Sequence, residues 1–167
     1  MKITRTNTAR AAAHSEAQVS ELRVVVPYTT PELTRAALSY VATLGAGLET
    51  QVRLVDAHVV PFPVSVTEPT VSLQFLDRRL QAAAVEFGLP LRMELVLSRD
   101  RLETFRKVLE PGSLVVIATG GWWWVSAERR LARSLSKAGY DVVLLAGGKS
   151  GKSAVRRFST PTAYPVR

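Results

Sequence analysis

The chain has 167 residues, 47% of them hydrophobic, no cysteine and a formal net charge of +8. That length suits one domain with a real core; the lack of cysteine excludes disulfides and thiolate metal sites, and no run of about 18 apolar residues is available to span a membrane. The charge sits at the ends: residues 1–20 carry net +2 and residues 149–167 net +5, which leaves +1 for residues 21–148, so net charge does not point to a basic groove within the fold.

Residues 1–20 are rich in Ala, Thr, Ser and Arg. They lack the apolar stretch of a signal peptide, read as a mobile basic arm, and with the cysteine-free composition fit a cytoplasmic protein. Leu22 to Pro27 reads as a buried strand. A helix start follows, with a capping threonine, Pro31 in the first turn and Glu32 at the positive end of the dipole. Leu33, Ala36, Ala37, Tyr40, Val41 and Leu44 then repeat at helical spacing. Val52 to Val60 is the second strand, closed by Pro61 and Pro63. Thr70 is placed to cap a second helix, with Val71, Leu73, Leu76, Leu80, Ala83, Ala84 and Phe87 as apolar positions and Gly88 and Pro90 as its stop.

Leu91 to Ser98 alternates Leu91, Met93, Leu95 and Leu97 with Arg92 and Glu94, which predicts an edge strand with one charged face. Asp100 and Glu103 open a short helix that Pro111-Gly112 ends. Ser113 to Ala118 holds the unbroken run Leu114, Val115, Val116 and Ile117, expected of a strand covered by helices on both faces. A helix from about Val125 to Ala138 places Leu131, Leu135 and Ala138 on one face, with Arg129, Arg130, Arg133 and Lys137 mostly on the others as a solvated surface. Asp141 to Ala146 is the fifth strand, and residues 149–167 read as a mobile basic tail. Strands alternating with helices predict an α/β fold with a parallel sheet and right-handed crossovers.

Such sheets place ligands where a strand ends in a Gly-rich turn. Thr119-Gly120-Gly121 is that turn here, followed at once by Trp122, Trp123 and Trp124. Tryptophans can stack on bases, but they also close cores and populate protein interfaces. The latter two roles are preferred here. Ala146 to Ser153 (AGGKSGKS) satisfies the relaxed P-loop pattern. A working P-loop needs a following helix and a later strand with an acid; the remaining residues have neither. His14 and His58 have no metal-ligand partner at suitable spacing. No GxSxG, HExxH or paired-carboxylate arrangement is present, so no catalytic or metal-binding residue is assigned.

Three phrases, RVVVPYTTPELTRAAL, AHVVPFP and SLVVIATGG, together with the order of elements from Leu22 to Ala146, resemble the universal stress protein family. The resemblance implies a three-layer α/β/α sandwich with a five-stranded parallel sheet of order 3-2-1-4-5. It also implies a nucleotide crevice and dimerisation through the fifth strand. The ATP-binding members carry an aspartate after strand one and G-x-x-G-x9-G-[ST] after strand four. Here the aspartate position holds Tyr28, the first glycine corresponds to Ala118, Gly121 matches the second, and the final Gly-Ser pair is Leu131-Ala132. Side chains at glycine positions keep backbone amides away from phosphates.

The crevice positions are therefore Tyr28, Thr29, Thr30, Val59, Ala118, Thr119, Gly120 and Gly121. The expectation is a non-ATP-binding member without a cofactor or enzymatic activity. It would span residues 21–148 between arm and tail, and act through protein interaction or regulation in a stress response. The alternatives are an ATP- or AMP-binding member with a degenerate crevice, and a regulatory domain related to cytosolic domains of transporters. Expected partners are a second copy through the fifth strand and an unidentified protein, without sequence-specific nucleic acid or membrane insertion. The edge position implied for Val142 to Leu145 supports the dimer, because an uncovered apolar edge strand invites pairing.

Overall fold

The apolar run that starts at Leu114 lies inside a seven-stranded mixed sheet in the computed structural model, which describes residues 2–7, 22–46, 49–67, 69, 71–87, 90–120, 126–147 and 154–158. In chain order the elements are β1 (Lys2–Asn7), β2 (Leu22–Pro27), α1 (Pro31–Leu44), β3 (Thr50–Val59), α2 (Leu73–Ala84) with a 3-10 turn (Val85–Phe87), β4 (Leu91–Ser98), α3 (Arg101–Val108), β5 (Leu114–Gly120), α4 (Ala127–Lys137), β6 (Asp141–Gly147) and β7 (Ala154–Phe158). The sheet order is β1-β4-β3-β2-β5-β6-β7. Its five inner strands run parallel, in the order expected for strands one to five.

The expectation of a purely five-stranded parallel sheet is corrected at both ends. Residues 2–7, expected in a mobile arm, pair antiparallel with β4 from Lys2↔Val96 to Asn7↔Leu91. Residues 154–158, expected in a mobile tail, pair antiparallel with β6 from Val142↔Phe158 to Ala146↔Ala154. The physical reason is common to both. An edge strand leaves a row of unpaired N–H and C=O groups, and a nearby segment of the same chain satisfies them. The fifth predicted strand, β6, is consequently not an edge, and the premise for a dimer formed through it is removed. Nor is β4 an edge: it lies between β1 and β3. Its predicted charged face is also corrected at Glu94, which is 0% exposed and bound by Arg53.

Alternating residues of the inner strands face opposite sides. Val24, Val26, Leu54 and Val116 pack with Leu38, Val41 and Leu80 of α1 and α2. Val25, Val55, Val115 and Ile117 pack with Phe105, Leu131 and Leu135 of α3 and α4. This two-sided burial is why the strands read as continuous apolar runs. Thr30, Asp100 and Ser126 cap α1, α3 and α4, each side chain accepting from a backbone N–H in the first turn. The cap expected from Thr70 lies outside the described residues, and Val71 precedes α2 without belonging to it. Ala138 follows α4 and is exposed, so the buried face consists of Leu131, Ala132 and Leu135. No helix among the described residues is long and apolar enough to cross a membrane.

Candidate functional site

The parallel strands end together along one side of the sheet. β2 pairs with β3 on one flank and β5 on the other, so the switch in connection direction lies at the C-terminal end of β2. Tyr28 follows that strand. Its N–H donates to the Val55 carbonyl at 2.8 Å, and its side chain, 3% exposed, is packed into the cluster beneath α1 and α2. The Arg79 guanidinium from α2 lies 4.5 Å from the ring centroid and donates to Asp56 Oδ2 at 2.6 Å. From the opposite side of the sheet, Arg101 donates to the Tyr28 carbonyl at 2.6 Å.

This packing sets the electrostatics. Burial raises the Tyr28 phenol above its ordinary value; the Asp56 and Glu32 charges act the same way, and Arg79 and Arg35 oppose them. Burial lowers Arg101, against the attraction of Asp56 and Glu128. The Tyr28 hydroxyl has no hydrogen-bond partner among the described residues. Asp56 was not singled out in the sequence, although an acid inside the apolar run Val52 to Val60 is the kind of buried polar residue that needs a partner. Its carboxylate is committed to Arg79.

The other predicted residues do not converge on one pocket. The Thr29 N–H donates to Thr34 Oγ1 at 3.2 Å, and Thr30 Oγ1 accepts from the Leu33 N–H at 3.3 Å, so both belong to the start of α1. Val59 is exposed at the end of β3. Ala118 and Thr119 line a cavity of about 360 Å³ between α1 and the sheet, with Leu33, Ala36, Tyr40 and Leu145 among the other walls. Tyr28, Thr29, Thr30 and Val59 do not line it. Thr119 Oγ1 lies 3.0 Å from Ser126 Oγ, which also accepts from the Arg129 N–H, so the hydroxyl pair ties β5 to the start of α4. Gly120 is exposed, and Gly121 with Trp122, Trp123 and Trp124 lies outside the described residues.

Leu131 and Ala132, at the positions of the family's final Gly-Ser, are buried inside α4 against the α3-side core. The P-loop-like stretch runs from the end of β6, and the next described element is the strand β7, where a P-loop requires a helix. Among the described residues there is no group of three or more His, Cys, Asp or Glu side chains that could hold a metal ion.

No protein-family model matches the chain, and no curated protein matches it. Among solved structures it is similar to a universal stress protein in complex with cAMP, with 14% identity over 76% of this chain and 98% of that one and a TM-score of 0.47. It is also similar to E. coli MccB with succinimide, at 9% identity and a TM-score of 0.39; 80% of this chain is covered but only 41% of MccB.

Proposed function

We propose that this chain is a universal-stress-protein-like domain that does not bind ATP, and that acts in the cytoplasm through protein interaction or regulation in a stress response rather than by catalysis. The observation that carries the first part is the placement of Leu131 and Ala132. A phosphate loop needs backbone N–H groups turned outward at residues without obstructing side chains. Here both positions are core residues of a helix that begins at Ala127, only a short link beyond Gly120. The Tyr28 position supports the same reading. The family's acid is replaced there by a buried ring, and the neighbouring carboxylate, Asp56, is held by Arg79. The interaction part is supported by large apolar side chains left at the surface, notably Phe62 at 81% exposure and Phe75 at 58%.

Thermal unfolding with and without ATP and magnesium tests the proposal. A ligand of the folded state at about 100 times its Kd adds about 2.7 kcal/mol. The expected result is no appreciable shift, and a saturable shift at sub-millimolar ATP would overturn it.

A further inference from the structure

A second concavity shares no wall with the crevice. It is a groove of about 580 Å³ between α4 and the β6–β7 hairpin, within the range of roughly 300–1,000 Å³ typical of small-molecule sites. Leu144, Ala146 and Phe158 contribute apolar surface to it, with Val155 beside them. Three guanidinium side chains line it: Arg129 and Arg133 from α4 and Arg156 from β7.

Their convergence follows from the local geometry. Arg129 and Arg133 are four residues apart and share one side of the helix. Arg156 pairs with Leu144 across the β6–β7 ladder, so the two side chains point to the same face of the sheet. The Arg156 guanidinium lies 5.5 Å from the Phe158 ring centroid, which holds it over apolar surface. Phe158 itself packs against the α3–α4 core. No carboxylate lines the groove among the described residues, and neither Arg133 nor Arg156 is ion-paired there. The like charges of Arg133 and Arg156 beside a low-dielectric surface repel one another, and an oxyanion placed between them relieves that repulsion.

We propose that this groove binds a small amphipathic oxyanion, a carboxylate or phosphate monoester whose head is held by Arg133 and Arg156 and whose apolar body lies on Leu144, Ala146 and Phe158. Guanidinium forks match both head groups, and the apolar surface gives the ligand body a reason to leave water. A free inorganic anion lacks the second contribution, and a neutral alcohol the first. A nucleic acid duplex presents a row of phosphates rather than an apolar body, and fits an open basic face better than this concave surface.

Isothermal titration calorimetry on the full chain, with octyl phosphate, octanoate, inorganic phosphate and octanol as separate titrants, tests the assignment. Octyl phosphate and octanoate are expected to saturate at one per chain, and inorganic phosphate and octanol to bind at least about tenfold more weakly. Arg133→Ala and Arg156→Ala should each weaken octyl phosphate about tenfold. Arg130→Ala is the control: it removes the same charge from an exposed position on α4 outside the groove, and should leave affinity unchanged. Circular dichroism and thermal unfolding establish that each variant is folded, which surface changes of this kind normally are. The proposal is overturned if neither amphiphile saturates, if Arg130→Ala weakens binding as much as Arg133→Ala, or if short duplex DNA binds while octyl phosphate does not.

Discussion

At the residue scale, the Arg53–Glu94 pair and the Tyr28 hydroxyl are polar features of the interior of opposite character. Arg53 donates from Nε to Glu94 Oε1 at 3.0 Å, its Nη2 lies 2.9 Å from the same oxygen, and its Nη1 reaches the Val108 carbonyl and Glu110. Removing one partner of a buried ion pair typically costs about 3–5 kcal/mol, whereas replacing both by apolar groups is often neutral or stabilising. Glu94 keeps Arg92, whose Nε lies 3.3 Å from the same oxygen, so Arg53→Met is expected to lower stability in urea by no more than about that amount, and Arg53→Met with Glu94→Leu to recover most of the loss. The outer pair Arg23–Glu110 is half-exposed on both sides, so Arg23→Ala should cost no more than about 1 kcal/mol. Tyr28 is the converse case, a hydroxyl buried without a partner among the described residues. Tyr28→Phe is expected to leave stability unchanged or raise it by about 1 kcal/mol. The pH dependence has a definite sign. The folded-state value is raised above the ordinary 10.0, so the protonated ring's contribution is fully present below that value and is lost as pH rises through the folded-state value. The parent chain should therefore lose more stability than Tyr28→Phe between about pH 8 and about pH 11, measured by urea denaturation.

At the element scale, the two outer strands protect the inner sheet. β7 covers the whole run Val142 to Ala146, which would otherwise be an apolar edge without proline or lysine to deter pairing. Deleting residues 149–167 is expected to cause self-association at micromolar concentration and near-physiological salt, where light scattering should report a larger mass than for the full chain. An unchanged mass at matched concentration would show that β7 has no such protective role. The sequence concealed both strands for a physical reason. Residues 2–7 contain one large aliphatic residue, Ile3, among polar neighbours, and residues 154–158 contain two adjacent arginines. Outer strands are held mainly by backbone hydrogen bonds to an existing edge, and these leave little apolar period to read.

On the scale of the whole molecule, β1 and β7 occupy opposite edges of the sheet, and residues 1–20 and 149–167 carry most of the +8 charge. Retention on a DNA column is therefore expected to be insensitive to sequence and to fall steeply with salt. Because residues 2–7 and 154–158 belong to the sheet, charge neutralisation is a cleaner test than truncation. Lys149→Gln, Lys152→Gln and Arg157→Gln together should flatten the salt dependence by a log–log slope of up to about 3. Sequence-selective retention that survives these changes would contradict this account. The near-neutral charge of residues 21–148 gave no sign of the arginine-lined groove, because net charge sums over a surface and a groove depends on which few side chains converge.

By itself the sequence determined the inner architecture: five parallel strands, four helices, a threonine cap before Pro31, the helix start at Asp100, and the two-sided burial of Leu114 to Ile117. Those features arise from apolar period, turn residues and capping chemistry, which act over a few neighbouring residues and leave a local trace. Only the tertiary structure decided that β4 and β6 are internal, that Glu94 is buried against Arg53, and that Tyr28 lies beneath Arg79 beside Asp56. It also decided that Arg156 of β7 faces Arg129 and Arg133 of α4. Each of these joins residues far apart in the chain across a strand pairing or a helix–sheet contact, and the energy that fixes them is the satisfaction of edge hydrogen bonds and buried charges that no local window contains.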